Sequence, residues 1–142
     1  MDKSGNNILA YFIQKPRLVF LLDALGASLS ATILMLVFWK FNARIGMPLD
    51  VIQLLAFLAS CLSLFSFSCY FFLKNYRRRC LKVIVLGNSL YSLLTACLVI
   101  SFYSKLSALE LIYFSLEVTL ICCIIYLELQ TLNPISNGLV AK

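Results

Sequence analysis

Four long stretches of the chain consist almost entirely of apolar residues, without the periodic polar positions of a surface helix or a half-buried strand. They are 18–39, 51–73, 83–103 and 109–127, each about 20 residues long. A helix of about 20 apolar residues crosses the ~30 Å of hydrocarbon in a bilayer. The pattern therefore predicts an all-α integral membrane bundle of four helices.

The segments outside these stretches are short. Consecutive helices are therefore expected to be antiparallel neighbours in a single membrane domain of residues 1–142. Residues 1–17 are interpreted as a cytoplasmic arm with a short interfacial helix, which Pro16 ends, and residues 128–142 as a cytoplasmic tail.

Local signals indicate where helices begin, end and pack. The segment "SALE" predicts a capping box between Ser107 and Glu110 at the start of the fourth helix, and Asn133-Pro134 predicts its end. Small residues four positions apart allow helices to approach closely in lipid, so the first two spans are expected to pack tightly. The pairs are Ala24 with Ser28, Gly26 with Ser30, Ala27 with Ala31, Ala56 with Ser60, and Ala59 with Ser63.

Composition and charge agree with a membrane location. The chain is 62% hydrophobic and 13% charged, whereas about 25% of a soluble domain is charged. Nine of the twelve basic residues fall on one side of the predicted bundle, which places both termini in the cytoplasm. Arg77, Arg78, Arg79 and Lys82 follow the second span and are expected to contact anionic lipid headgroups. They leave no room for a nucleic-acid-reading module, so no nucleic-acid partner is expected.

Asp23 is an acidic residue inside the first apolar span, about five residues or ~8 Å from its cytoplasmic boundary. Acidic residues in spans usually face the bundle interior or water. Asn88 lies at a matching depth in the third span, and Arg17 and the arginine run are also within reach. We interpret Asp23 as a tie between helices, with a functional role as the alternative.

Glu117 lies near the middle of the fourth span, and none of the four spans contains a Lys or Arg to pair with it. Glu110, Glu117 and Glu128 fall on one face of this helix, and Tyr113 flanks that face. Two interpretations stay open for Glu117: a neutral side chain hydrogen-bonded across the bundle, or a site that carries protons. Glu128, level with the basic segment, is predicted to form a surface ion pair.

Other chemistry is sparse. The chain has no histidine, its six cysteines show no CxxC spacing, and its serines lack a basic partner inside the spans. We therefore expect no catalytic activity, no metal and no cofactor.

Several segments resemble a known group of proteins. "DALGASLSATILMLVFWKF", followed by "GMP", "SFSCYFF" and "LIYFSLE", is similar to a group of small bacterial integral membrane proteins with four spans. The resemblance runs from Lys15 to Glu128 and implies a bacterial inner membrane. It implies no activity or ligand, because none is known for the group.

Two functions follow as hypotheses. The first is an accessory or structural membrane component that associates with itself or with a membrane-protein partner through helix faces. The second is a small proton-coupled transporter or channel that uses a polar site of Asp23, Asn88, Tyr113 and Glu117. The environment of Glu117 distinguishes them, because a transporter needs this carboxyl group to exchange protons with water.

Overall fold

The computed structural model describes residues 16–41, 46–72 and 77–136 of the 142-residue chain. All regular secondary structure in these ranges is α-helical, and each helix is long and apolar enough to cross a membrane. The helices are α1 (Pro16–Phe41), α2 (Leu49–Phe72), α3 (Arg77–Ser101) and α4 (Ala108–Ser136).

The helix ends differ in places from the sequence-based boundaries. α3 begins at Arg77, so the arginine run belongs to the helix and not to a connection, and α3 ends at Ser101. The predicted end of the fourth helix at Asn133-Pro134 is wrong, because α4 continues to Ser136. A proline in the last turn removes only one helical hydrogen bond, which the helix tolerates better there than in its interior. The predicted interfacial helix in residues 1–15 lies outside the described residues.

The outside of the bundle is apolar, unlike the surface of a soluble protein, and polar side chains lie buried among apolar ones inside it. Large apolar side chains such as Leu64, Ile100 and Leu109 are more than two-thirds exposed on the outside of the bundle. The interior holds buried polar side chains, namely Asp23, Ser63, Ser66, Asn88, Ser92, Thr95, Glu117, Glu128 and Thr131. Water would make such an apolar exterior unstable, whereas lipid does not. The four apolar helices are those of a multi-pass membrane protein.

The helices pack as two pairs of consecutive helices, which we call hairpins. α1 with α2, and α3 with α4, make more extensive contacts than the pairs that join one hairpin to the other. In the first hairpin, the hydroxyl groups of Ser28 and Ser63 lie 2.6 Å apart, and Ser63 also donates to the Ala24 carbonyl at 3.0 Å. The predicted close packing of the first two spans is confirmed. Gly26 is the exception, because a Cβ there would lie 3.2 Å from Ile124 Cδ1 of α4, not against α2.

At one end of the bundle, the connection that precedes α2 contacts the connection that precedes α4. The capping box is confirmed: the Ser107 amide donates to Glu110 Oε2 at 2.7 Å, and the Glu110 amide donates to Ser107 Oγ at 3.3 Å. The Gly46 amide also donates to Glu110 Oε1, at 3.0 Å. Glu110 therefore links the connection before α2 to the beginning of α4.

Candidate functional site

Four buried polar side chains, one from each helix, form what we call the Asp23 cluster: Asp23, Ser66, Asn88 and Glu128. Asn88 Nδ2 donates to Asp23 Oδ1 at 2.6 Å and also lies 3.4 Å from Glu128 Oε1. The Ser66 hydroxyl donates to the other oxygen of Asp23. All four side chains are at most 5% exposed. In lipid, such bonds hold helices together at about 0.6 kcal/mol each.

The position of each member along its helix explains why the four meet. Asp23 and Asn88 lie in the first halves of α1 and α3, whereas Ser66 and Glu128 lie in the last third of α2 and α4. The beginnings of two helices and the ends of the other two therefore come together at one depth. An apolar cluster that includes Phe20, Cys69 and Ile84 packs next to it on the side of the arginine run.

A second polar group surrounds Glu117 in the middle of the bundle. The Tyr91 hydroxyl donates to Glu117 Oε1 at 3.0 Å, and Glu117 is only 4% exposed. Glu117 Oε2, the Tyr113 hydroxyl and the Thr95 hydroxyl are buried without a hydrogen-bond partner. A buried carboxylate without a positive partner costs several kcal/mol, so a proton or a cation must neutralise this group.

A cleft between α1 and α4 connects the two polar groups. Its volume is about 240 Å³, and Asp23 and Asn88 line it together with Glu117, Tyr91 and Tyr113. The remaining wall comes from α1, α2 and α4, and it is apolar except for Ser30. The cleft thus places two carboxyl groups on the surface of a space large enough for a small molecule.

The three glutamates of α4 all face the protein interior. Glu110 lies at one end of α4, Glu117 follows about 10 Å further along the helix, and Glu128 another ~16 Å beyond that. Glu117 and Glu128 are buried, and Glu110 is partly buried under the Gly46 connection. Asp23 lies at the depth of Glu128, so the carboxyl groups occupy three depths between the Glu110 end of the bundle and the Asp23 cluster.

Of the four predicted site residues, the structure joins Asp23 to Asn88 directly. Glu117 and Tyr113 line the same cleft, but no hydrogen bond joins them. Sequence reasoning missed Ser66 and Tyr91 as partners of the two acids. Their spacing was a usable signal, because Tyr91 follows Asn88 by three positions on one helical face and Ser66 follows Ser63 in the same way.

The predicted surface ion pair of Glu128 is wrong. Its side chain is completely buried, and Asn88 is its nearest hydrogen-bonding neighbour. The reason is that α4 continues to Ser136, so Glu128 lies more than two turns before the helix end, on the same inward face as Glu117.

The residues predicted to contact lipid headgroups lie at the beginning of α3. Arg77 is the first residue of that helix, and Arg78, Arg79 and Lys82 are exposed.

In the part of the chain that the structure describes, no group of three His, Cys, Asp or Glu side chains is placed to hold a metal ion. The acid sites are therefore the candidate functional chemistry.

Comparison of the chain with protein-family models, with curated proteins and with solved structures returned no match.

Proposed function

We propose that this protein is a small proton-coupled transporter of the bacterial inner membrane, without catalytic activity, in which Glu117 and the Asp23 cluster exchange protons. In this proposal the four helices form an antiparallel bundle with both termini in the cytoplasm. The protein lies in the lipid bilayer and has no nucleic-acid partner and no cofactor.

The order of contacts along the helices supports the antiparallel arrangement. Asp23 pairs with Ser66 and Ser28 pairs with Ser63, so a later position on α1 meets an earlier one on α2. Asn88 and Glu128 pair in the same sense on α3 and α4, as do Tyr91 and Glu117. The excess of basic residues on the side of the arginine run supports a cytoplasmic position for that end.

The observation that carries the proposal is the series of carboxyl groups inside the bundle. Glu117 is buried at one depth, Asp23 and Glu128 are buried together at a second, and the apolar spans hold no Lys or Arg to neutralise them. Ionisable residues at such positions are expensive to insert and commonly form ion or proton pathways. Glu117 accepts one hydrogen bond of normal geometry, from Tyr91, and its other oxygen is left with only the Ser30 hydroxyl of the cleft as a polar neighbour.

The packing of the helices in two hairpins supplies a movement for transport, of one hairpin relative to the other. Asn88 to Asp23 and Gly46 to Glu110 are hydrogen bonds between the hairpins, and in both a carboxyl group accepts. A change in protonation at these acids would therefore alter the contacts that hold the hairpins together. Rocking of one helical unit against another around a central site is a common route to alternating access.

Proton movement in liposomes tests the proposal. The purified protein is reconstituted with a pH-sensitive dye inside, and organic cations, organic anions, sugars and amino acids are added outside in turn. We expect one class to drive proton movement with the unmodified protein and not with Glu117→Gln. Tyr126→Phe is the matched control, because Tyr126 is on the same helix and is 58% exposed on the outer surface. If none of these classes of solute drives proton movement, the proposal is contradicted.

A second candidate function is the accessory component that associates through helix faces. The observation in its favour is that α4 is the least buried of the four helices, so much of its surface is available to a second copy or to a partner helix. Native mass spectrometry of the protein released from lipid nanodiscs tests this function. A stable dimer that Leu116→Trp or Tyr126→Trp disrupts would support it, and a monomer in all preparations would exclude self-association.

A further inference from the structure

We propose that the cleft between α1 and α4 binds a small organic cation with an aromatic or aliphatic body. This inference rests on the proposed transport function and names the class of its solute. The ammonium group would lie beside Glu117 Oε2, and the apolar part would lie against the leucine and isoleucine side chains of the wall.

The charge of the cleft selects a cation. Asp23 and Glu117 are its acidic lining residues, and no basic residue lines it among the described side chains. Glu117 Oε2 belongs to a side chain that is 96% buried, lines the cleft and lacks a hydrogen-bond partner. A positive group there would supply the missing interaction, whereas an anion would meet two carboxyl groups at low dielectric.

The other lining residues select an apolar body. Leu29, Ile33, Leu116, Leu120 and Ile124 form apolar wall, so a sugar would lose most of its hydrogen bonds on binding. Tyr91 and Tyr113 add aromatic rings, whose faces attract ammonium groups.

Size and access are consistent with this class. A cavity of ~150 Å³ lined by apolar side chains holds one benzene molecule, so the 240 Å³ of the cleft has room for a ring and a compact ammonium group. Leu29, Leu116 and Leu120 are more than half exposed at the rim, on the surface that faces lipid. A lipophilic cation that is already dissolved in the bilayer can therefore reach the cleft sideways between α1 and α4.

Charge balance couples the cation to protons. When the cation binds, Glu117 or Asp23 gives its proton to water, and the net charge in the cleft stays the same. The titratable groups that line the cleft with Glu117 are Asp23 from α1, Tyr91 from α3 and Tyr113 from α4; α2 contributes only Ala59 and Leu62 to the lining. Glu128 adjoins Asp23 through Asn88 and is the next acid along the interior.

The test measures binding of benzyltrimethylammonium to the full chain in lipid nanodiscs by equilibrium dialysis. The competitor is neopentylbenzene, which has the same shape with a carbon in place of the positive nitrogen. We expect one site per chain, no competition by the neutral compound, and release of protons on binding in weak buffer. Affinity should fall at least tenfold in Glu117→Gln and stay unchanged in Tyr126→Phe.

A second variant covers the case in which Glu117→Gln does not fold. Leu120→Trp places a large ring at the exposed rim of the cleft, where the fold can accept it, and should block binding with the helical circular dichroism unchanged. The cation site would be overturned if Glu117→Gln bound benzyltrimethylammonium as tightly as the unmodified protein does. It would also be overturned if neopentylbenzene displaced benzyltrimethylammonium from the unmodified protein.

The outcomes also separate this inference from the proposed function. Binding without proton release keeps the cation site and contradicts proton coupling. Proton movement driven by an anion or a sugar, with no binding of benzyltrimethylammonium, keeps the coupling and contradicts the cation site.

Discussion

Asn88 connects the two acids of the Asp23 cluster, because its amide group lies within hydrogen-bond distance of both Asp23 and Glu128. An amide can face two carboxyl groups without adding charge, which a lysine at the same place could not do. The cluster therefore remains able to take up or lose a proton. Its acids are held in position by neutral donors from α2 and α3.

We predict that Asn88→Ala destabilises the protein by about 1–3 kcal/mol, because Asp23 and Glu128 lose a buried hydrogen-bond donor. Thermal unfolding in detergent, followed by circular dichroism, measures the change. Ser92→Ala is the control: Ser92 lies one turn further along α3, and among the described residues its hydroxyl has one hydrogen-bonding neighbour, Cys122 Sγ at 4.0 Å. Equal losses for both variants would show that Asn88 contributes packing and not hydrogen bonding.

The contact between Asp23 and Asn88 could be predicted from the sequence because both residues lie at the same depth inside apolar spans. The burial of Glu128 could not. It depends on α4 continuing beyond the apolar stretch to Ser136, and apolar patterning alone does not show where a helix that leaves the membrane ends. The cleft was also beyond prediction, since it arises from the loose contact between α1 and α4, which no local pattern encodes.

The connection before α2 packs tightly against the connection before α4, at the end of the bundle where Glu110 lies. A Cβ at Gly46 would lie 1.8 Å from the Lys105 carbonyl oxygen, so any side chain there would push backbone against backbone. At Gly87, by contrast, a Cβ would meet only Leu62 Cδ2, at 2.7 Å. A methyl group at the end of a flexible side chain can turn away, whereas a backbone carbonyl cannot.

We predict that Gly46→Ala costs about 1–3 kcal/mol of stability, as overpacking usually does, and separates the Gly46 amide from Glu110. Amide hydrogen exchange of residues 107–111 should become faster, because the beginning of α4 loses its contact with the neighbouring connection. Gly87→Ala should leave that exchange unchanged and cost less. A larger loss of stability for Gly87→Ala would mean that helix contact, not the docking of connections, limits stability.

The molecule as a whole is two hairpins with polar contacts between them and a cleft at one seam. α1 and α2 are joined by hydroxyl groups and small residues, which allow close and rigid packing. At the α1–α4 seam Gly26 faces Ile124 next to the 240 Å³ cleft, and these two helices make less extensive contact than α1 with α2. Movement between the hairpins would therefore open or close this seam before it disturbed either hairpin.

We predict that a disulfide across this seam stops solute-driven proton movement. In a chain with all six native cysteines replaced, Gly26→Cys with Ile124→Cys links α1 to α4, and Ser28→Cys with Ser63→Cys links α1 to α2 within one hairpin. Oxidation of the first pair should reduce proton movement in liposomes by at least about tenfold, and a reductant should restore it, because the hairpins can no longer separate. The second pair should leave the rate within about twofold, since those helices already move together. If both disulfides, or neither, stopped proton movement, the cleft would not open by motion between the hairpins.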